Sequence, residues 1–226
     1  MILNSFVELE ENKFPVVIFG SGPAGLSLAL ELEKKNISCL IIEAGDEFYN
    51  DESQSYFKIN TEGTNLKDIS SSRLRQFGGT SASWGGWCKP FSDLDIKKTG
   101  LNPEEIKKHQ SKTCEILGIK NLFRESSINK DFNQIEFQYS DTTFYEKYFS
   151  HIKASKKILL LLNTQLSHFE GKNKIVKKAI CFLNGKKFDI KSREFILCCG
   201  GIENSRILLW TKFKSMSLLK DNSNIG

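Results

Sequence analysis

The stretch that decides the fold reads Val16-Val17-Ile18-Phe19-Gly20-Ser21-Gly22-Pro23-Ala24-Gly25, and an acidic residue, Glu43, follows eighteen positions beyond Gly25. An apolar run that ends in G-x-G-x-x-G and opens into a helix is the start of a dinucleotide-binding βαβ unit. Gly20 permits the tight turn at the strand end, Gly22 lets the backbone approach a pyrophosphate, and Gly25 lets the helix lie close to the sheet. The anion then sits at the helix N-terminus, where unpaired N–H groups and the helix dipole favour negative charge. Ser21, Pro23 and Ala24 complete the same turn and count with the glycines as cofactor-binding positions.

The context supports this reading. Ala24 to Lys35 (AGLSLALELEKK) is rich in good helix formers, and Asn36 stops the helix. Cys39-Leu40-Ile41-Ile42 is a continuous apolar run, as expected of a strand buried on both faces. Glu43 falls at its carboxyl end, where a carboxylate can accept hydrogen bonds from an adenosine ribose.

The 226 residues suffice for one large domain or two small ones. An apolar content of 39% with 26% charged residues is ordinary for a globular protein. The net charge of +5 comes from dispersed lysine pairs such as Lys97-Lys98 and Lys177-Lys178, which read as solvated surface, not a nucleic-acid patch. The first residues lack the basic region and apolar core of a signal peptide, and no apolar run is long enough to span a membrane. Six cysteines contain no C-x-x-C pair, so no metal site or disulfide frame is expected, and a cytoplasmic location is.

Further along, residues 46–72 read as a polar excursion. NPEEIKKHQSKTCEILGI from Asn102 reads as one helix ended by Gly118, and residues 121–155 give no clear assignment. From Lys157 the runs KILLLLN, QLSHFE, KKAICFL and KKFDI read as short strands, with Asn184-Gly185 a hairpin turn that needs positive φ twice. Glu194 to Cys199 is a buried strand that runs into Gly200-Gly201 and a further helix. A βαβ opening, a long insertion, a β-meander and a returning strand suit an FAD-binding architecture better than a simple nicotinamide domain, which would keep alternating strands and helices.

Three separated motifs carry a resemblance. They are VVIFGSGPAGLSLALEL with Glu43-Ala44-Gly45; Arg73-Leu74-Arg75-Gln76-Phe77-Gly78-Gly79-Thr80-Ser81-Ala82-Ser83-Trp84-Gly85-Gly86 with Pro90; and FILCCGGIENSRILL from Phe195. In order and spacing they resemble the glucose–methanol–choline family of flavin oxidoreductases, in particular the sugar-oxidising branch that includes pyranose oxidase. The resemblance implies an α/β, FAD-binding Rossmann-like fold: a βαβ opening, a β-meander and a returning parallel strand, with part of an inserted substrate-side region. Residues 1–91 would be the first part of the FAD-binding domain, residues 92–155 an inserted helical or irregular segment, and residues 156–226 the meander and returning strand and helix.

It also implies site roles. Gly20, Gly22 and Gly25 would cradle the FAD pyrophosphate, with Glu43, Ala44 and Gly45 beside the adenosine ribose. Arg75, Gly78, Gly79, Thr80 and Ser81 would run along the pyrophosphate and ring system, with Trp84, Gly85 and Gly86 nearby. Leu166 would contact the adenine through its backbone, and Gly200 and Gly201 would let the returning strand approach the cofactor. Adjacent glycines and hydroxyls in the second motif suit this on physical grounds, since successive N–H groups form an anion nest.

Two departures qualify the resemblance. Ser83 occupies the position where related proteins can carry a flavin-linked histidine, so that link is not expected. The family is about twice this long, and its catalytic histidine lies in the half that this chain lacks. His109, His151 and His168 fall outside all three motifs, so no catalytic residue is nominated. The expected activity is oxidation of CH–OH groups of an alcohol or sugar, with the electron acceptor open and no turnover by this chain alone. Two other readings stay open: a NAD(P)-dependent dehydrogenase, and a truncated chain that at most binds nucleotide and exposes apolar surface because the rest of the fold is missing.

Overall fold

The computed structural model describes residues 2–3, 14–60, 62, 69–215, 217–219 and 225. Of residues 1–14, only 2–3 and 14 are among the described residues. Strand β1 is Ile2–Leu3, and β2 is Val16–Phe19, the apolar run before Gly20. Helix α1 (Pro23–Lys34) starts with Pro23 in its first turn, where a missing N–H costs nothing, and the chain leaves it through Asn36 at φ 59°. Strand β3 (Cys39–Ile42) follows, then a short helix α2 (Asp51–Ser55) capped by the Asn50 side chain, inside the segment read as polar excursion.

Next come β4 (Trp87–Cys88), α3 (Asp93–Lys98), α4 (Pro103–Lys108) and α5 (Gln110–Leu117). The single helix expected from Asn102 is thus two, divided at His109. The end at Gly118 stands, in the left-handed conformation at φ 73°. The stretch without assignment holds β5 (Glu125–Ser127), β6 (Asn133–Ile135), β7 (Gln138–Tyr139) and helix α6 (Phe144–Ala154). The remaining elements are β8 (Ile158–Leu161), β9 (Thr164–Lys172), β10 (Ile175–Leu183), β11 (Lys186–Ile190), β12 (Glu194–Leu197) and α7 (Gly201–Lys214).

The chain forms two units. One comprises residues 1–83 and 144–226, the other residues 84–143. The first is built on a parallel sheet in the order β1-β8-β3-β2-β12, and an antiparallel meander in the order β11-β10-β9. KILLLLN therefore joins the parallel sheet beside β3 and is not the first strand of the meander. Its unbroken apolar sequence gives the reason, because Leu159 and Leu161 point to one side, Ile158 and Leu160 to the other, and all four are buried. The fold is α/β and Rossmann-like, with the βαβ opening, the meander and the returning parallel strand all present.

One face of the sheet (Val17, Phe19, Leu40, Ile42, Leu159, Leu161) packs on the meander through Leu166, Phe169, Ala179, Cys181 and Leu183, with Ile207 of α7. Phe19 meets Phe169 edge-on at 5.7 Å. The opposite residues Ile18, Ile41 and Leu160 are equally buried, on the side of α1 and α6. Each fully buried Leu or Ile stabilises by about 1.5–3 kcal/mol relative to exposure, so this two-sided core fixes the strand ends that carry the site. The Asn184-Gly185 turn has φ 50° and 74°, as its hairpin reading requires.

Candidate cofactor site

The carboxyl ends of β2, β3 and β12 bring the three motifs together. Gly20 turns the chain at φ 100°, and a methyl group there would come within 2.5 Å of the Cys198 carbonyl oxygen. Only glycine lets the returning strand pass this close. Gly25 backs directly onto the Gly20 carbonyl, so α1 leaves the loop against the sheet. The second motif crosses the loop as well: Gly78 N donates to Ser21 O at 3.1 Å, and a methyl group on Gly79 would come within 3.1 Å of Gly22 Cα.

Two anchors hold this crossing. Phe77 is fully buried and meets Phe149 of α6 edge-on at 5.1 Å, while its N–H donates to Asp46 O at 2.8 Å. Gly45 backs onto the Arg75 carbonyl, where no side chain would fit. Ser81 Oγ then donates to Gly78 O at 2.6 Å, closing the turn on itself. Thr80 Oγ1 accepts from Leu74 N at 3.4 Å.

Glu43 is buried at the end of β3. Its Oε2 accepts from Ser21 N at 2.9 Å and Ser21 Oγ at 2.7 Å, and its Oε1 accepts from Gly45 N at 2.8 Å. Arg75 is also buried. Its Nη1 donates to Ser53 O and Oγ, its Nη2 to Gln165 Oε1 at 3.4 Å, and its guanidinium lies 4.7 Å from the centre of the Tyr56 ring. Burial pulls the pKa of Arg75 below its usual value, with Glu43 opposing.

Leu166, adjacent to Gln165, lies buried in β9 against Cys181. Gly200 has φ 82°, and methyl groups on Gly200 or Gly201 would meet nothing within 4 Å, so the start of α7 borders open space. Trp84, Gly85 and Gly86 belong to the second unit. Three polar residues outside the nominated set also hold this region: Gln54, Arg73 and Glu203. Gln54 gave no signal in sequence, because its partners lie 16 to 21 positions away in an irregular stretch.

The residues present fit a dinucleotide. The N-cap of α1 is Gly22, with no side-chain cap and no acidic residue in the first turn, so the first N–H groups remain for a pyrophosphate. Space opens in front of Gly22, where a methyl group would find nothing within 4 Å. A carboxylate has about four acceptor positions; Glu43 uses three, which leaves one for a ribose hydroxyl.

Comparison decides which dinucleotide. Residues 13–60 match a family described as an FAD binding domain. The cofactor is FAD. No curated protein matches the chain in sequence. Among solved structures the fold is similar to that of pyridoxine 4-oxidase from Mesorbium loti, with a TM-score of 0.57 and 14% identity over 88% of this chain and 51% of that one. The likeness is one of fold, and the chain spans about half the length of that enzyme.

None of the histidines joins the FAD site motifs. His109 divides α4 from α5, and His151 pairs with Glu33 at 2.5 Å. His168 contacts Ser167 and Glu170; burial holds it below the usual histidine pKa, with Glu170 opposing. Among the described residues no group of His, Cys, Asp or Glu has the arrangement of a metal site, and no helix is long and apolar enough to cross a membrane. All six cysteines are free thiols.

Proposed function

We propose that this chain is the FAD-binding portion of a flavin-dependent oxidoreductase that acts on CH–OH groups of an alcohol or sugar. The observation that carries the proposal is the meeting of the second motif with the dinucleotide loop, through Gly78 on Ser21 and Gly79 over Gly22. A nicotinamide domain needs no such crossing arm. The form of the arm, Gly78-Gly79-Thr80-Ser81 before Trp84, supports the CH–OH class through the family resemblance, and pyridoxine 4-oxidase shares the fold.

When bound, FAD supplies the acceptor for the hydride that leaves the substrate carbon. The chain's own part is binding and orientation. Gly20, Gly22 and Gly25 admit the pyrophosphate to the N-terminus of α1, and Glu43 takes a ribose hydroxyl. The Gly78–Ser81 turn lines the path beyond, with Leu166 beside the adenine and Gly200 and Gly201 bordering the far end. Arg75 acts on this site through Ser53 and Gln165, fixing the arm against α2 and β9.

Fluorescence titration tests this. The expected result is stoichiometric FAD binding with little affinity for NADH; the reverse preference defeats the proposal. Anaerobic addition of alcohols or sugars is expected to leave the bound flavin oxidised, since no histidine stands among the three motifs. Bleaching by amines or thiols would overturn the CH–OH class.

A further inference from the structure

Arg73 and Glu203 lie 130 residues apart in sequence and meet in the fold. Arg73 Nη1 donates to Glu203 Oε1 at 3.3 Å, with the two side chains only 15% and 14% exposed. Arg73 Nη2 donates to Phe57 O at 3.1 Å, and the guanidinium lies 4.3 Å from the centre of the Phe57 ring. Glu203 Oε2 accepts from Arg206 Nε at 2.7 Å, so the carboxylate is held from both sides.

The main chain of Arg73 is clamped too. Gln54 Nε2 donates to Arg73 O at 2.6 Å and to Ser70 O at 2.9 Å, while Gln54 Oε1 accepts from Arg75 N at 3.0 Å. Backbone and both terminal nitrogens are therefore engaged. The exception is Nε, which among the described residues is a buried side-chain nitrogen with no hydrogen-bond partner. An unpaired buried donor is costly and uncommon, and a fold that keeps one has a use for it.

Its place in the fold suggests the use. Glu203 lies in the first turn of α7, directly after β12, and β12 flanks β2 on the side opposite β3. Glu43, on the ribose side, ends β3. A dinucleotide in an open parallel sheet lies across the carboxyl ends of the strands. With the adenosine half over β3, the other half runs toward β12 and α7.

We infer that the Arg73 Nε–H is reserved for an oxygen on the flavin side of FAD, and that Glu203 is the positioning residue that holds the guanidinium for it. The inference rests on the FAD reading above and adds a donor to it. Unlike Arg75, whose hydrogen bonds hold the arm to α2 and β9, Arg73 keeps one N–H for the ligand.

The test titrates the whole chain and two variants, Arg73→Lys and Glu203→Gln, with FAD and with ADP, and records unliganded melting temperatures. Lysine keeps the charge opposite Glu203 but has no equivalent of the Nε–H. The expected result for Arg73→Lys is FAD affinity weakened about tenfold, with ADP affinity changed by less than about twofold. The unliganded melting temperature falls somewhat, because lysine also gives up the Nη2 bond to Phe57 O and the contact over the Phe57 ring, so the selective loss for FAD over ADP is the deciding readout. Glu203→Gln should shift FAD affinity in the same direction by less. Unchanged FAD affinity in both variants overturns the inference while leaving the FAD reading intact. Equal losses for FAD and ADP with a lowered melting temperature overturn it in favour of a purely structural pair. Failure of the wild-type chain to bind FAD overturns the cofactor reading and this inference together.

Discussion

A methyl group placed on Gly22 would touch nothing, whereas one on Gly45 would overlap the Arg75 carbonyl. The two glycines therefore serve different ends, though both were nominated for the same site. Gly22 has φ −70°, which any residue adopts, so its small size serves the ligand and not the fold. Gly22→Ala is expected to leave the unliganded melting temperature unchanged and to weaken FAD binding about tenfold or more. Gly45→Ala should destabilise the unliganded protein by about 1–3 kcal/mol, the usual cost of overpacking. Denaturant unfolding with and without FAD separates these effects, and a Gly22→Ala variant that binds FAD normally would remove the pyrophosphate from that position. At this scale much of the site was legible, because G-x-G-x-x-G and Glu43 carry their physical reasons in sequence. Arg73 was not singled out: only the fold reveals that its Nη atoms are occupied and that its Nε has no hydrogen-bond partner among the described residues. Cys199 is the converse case: it ends an apolar run expected to be buried, and burial, with Glu43 nearby, pushes its thiol up to about 12.

At the scale of elements, α1 and α6 are joined by one carboxylate. Glu33 of α1 accepts from Ser155 Oγ, just beyond α6, and pairs with His151 Nε2 of α6. Ser155 Oγ in turn accepts from Lys157 N and Ile158 N at the start of β8, so the cluster ties two helices to a strand. Burial alone would raise the pKa of Glu33, but the hydrogen bonds from Ser155 and His151 outweigh it and hold it below the ordinary value. A carboxylate depressed in the folded state contributes stability above its unfolded pKa and loses it as pH falls through the folded pKa. Glu33→Gln should therefore cost about 1 kcal/mol at pH 7, and the difference from wild type should shrink as pH drops below about 4. Urea unfolding at several pH values checks this; a difference that stays constant into acid would mean that the carboxylate charge plays no part. Elements whose local pattern is strong were readable here: α1, β3 and the Asn184-Gly185 hairpin. The split of the expected helix at His109 was not, since nothing between Asn102 and Gly118 breaks helical propensity. Nor was α6, whose Phe144, Phe149 and Ile152 sit in an aromatic-rich stretch, although Thr143 and Glu146 have the spacing of a capping box and were a start signal that could have found it.

For the whole molecule, the three motifs set the order of the fold, and the first unit holds all of them except Trp84 to Gly86 and Pro90. What the sequence could not assign was surface. The strand expected to be buried over Glu194 to Cys199 is shorter and only half-buried: β12 ends at Leu197 and is an edge of the parallel sheet among the described strands. Apart from the charge of Glu194, its residues include none of the lysines or prolines that guard natural edges. On the neighbouring α7, Ile207 and Thr211 face the core, while Ile202, Leu209, Trp210 and Phe213 are exposed at spacings that form one outward stripe. Trp210 and Phe213 stack at 5.1 Å, with the Lys214 ammonium 4.7 Å from the centre of the Trp210 ring. An apolar surface of this kind drives association. The chain by itself is expected to self-associate as its concentration rises, and Phe213→Glu, at a side chain 70% exposed, to shift it toward monomer without lowering its melting temperature. Sedimentation velocity over a concentration series measures this. If Phe213→Glu associates as wild type does, the contact lies elsewhere, and the unguarded β12 edge becomes the surface to mutate next. If wild type stays monomeric throughout, the exposed stripe of α7 is tolerated in water as it stands.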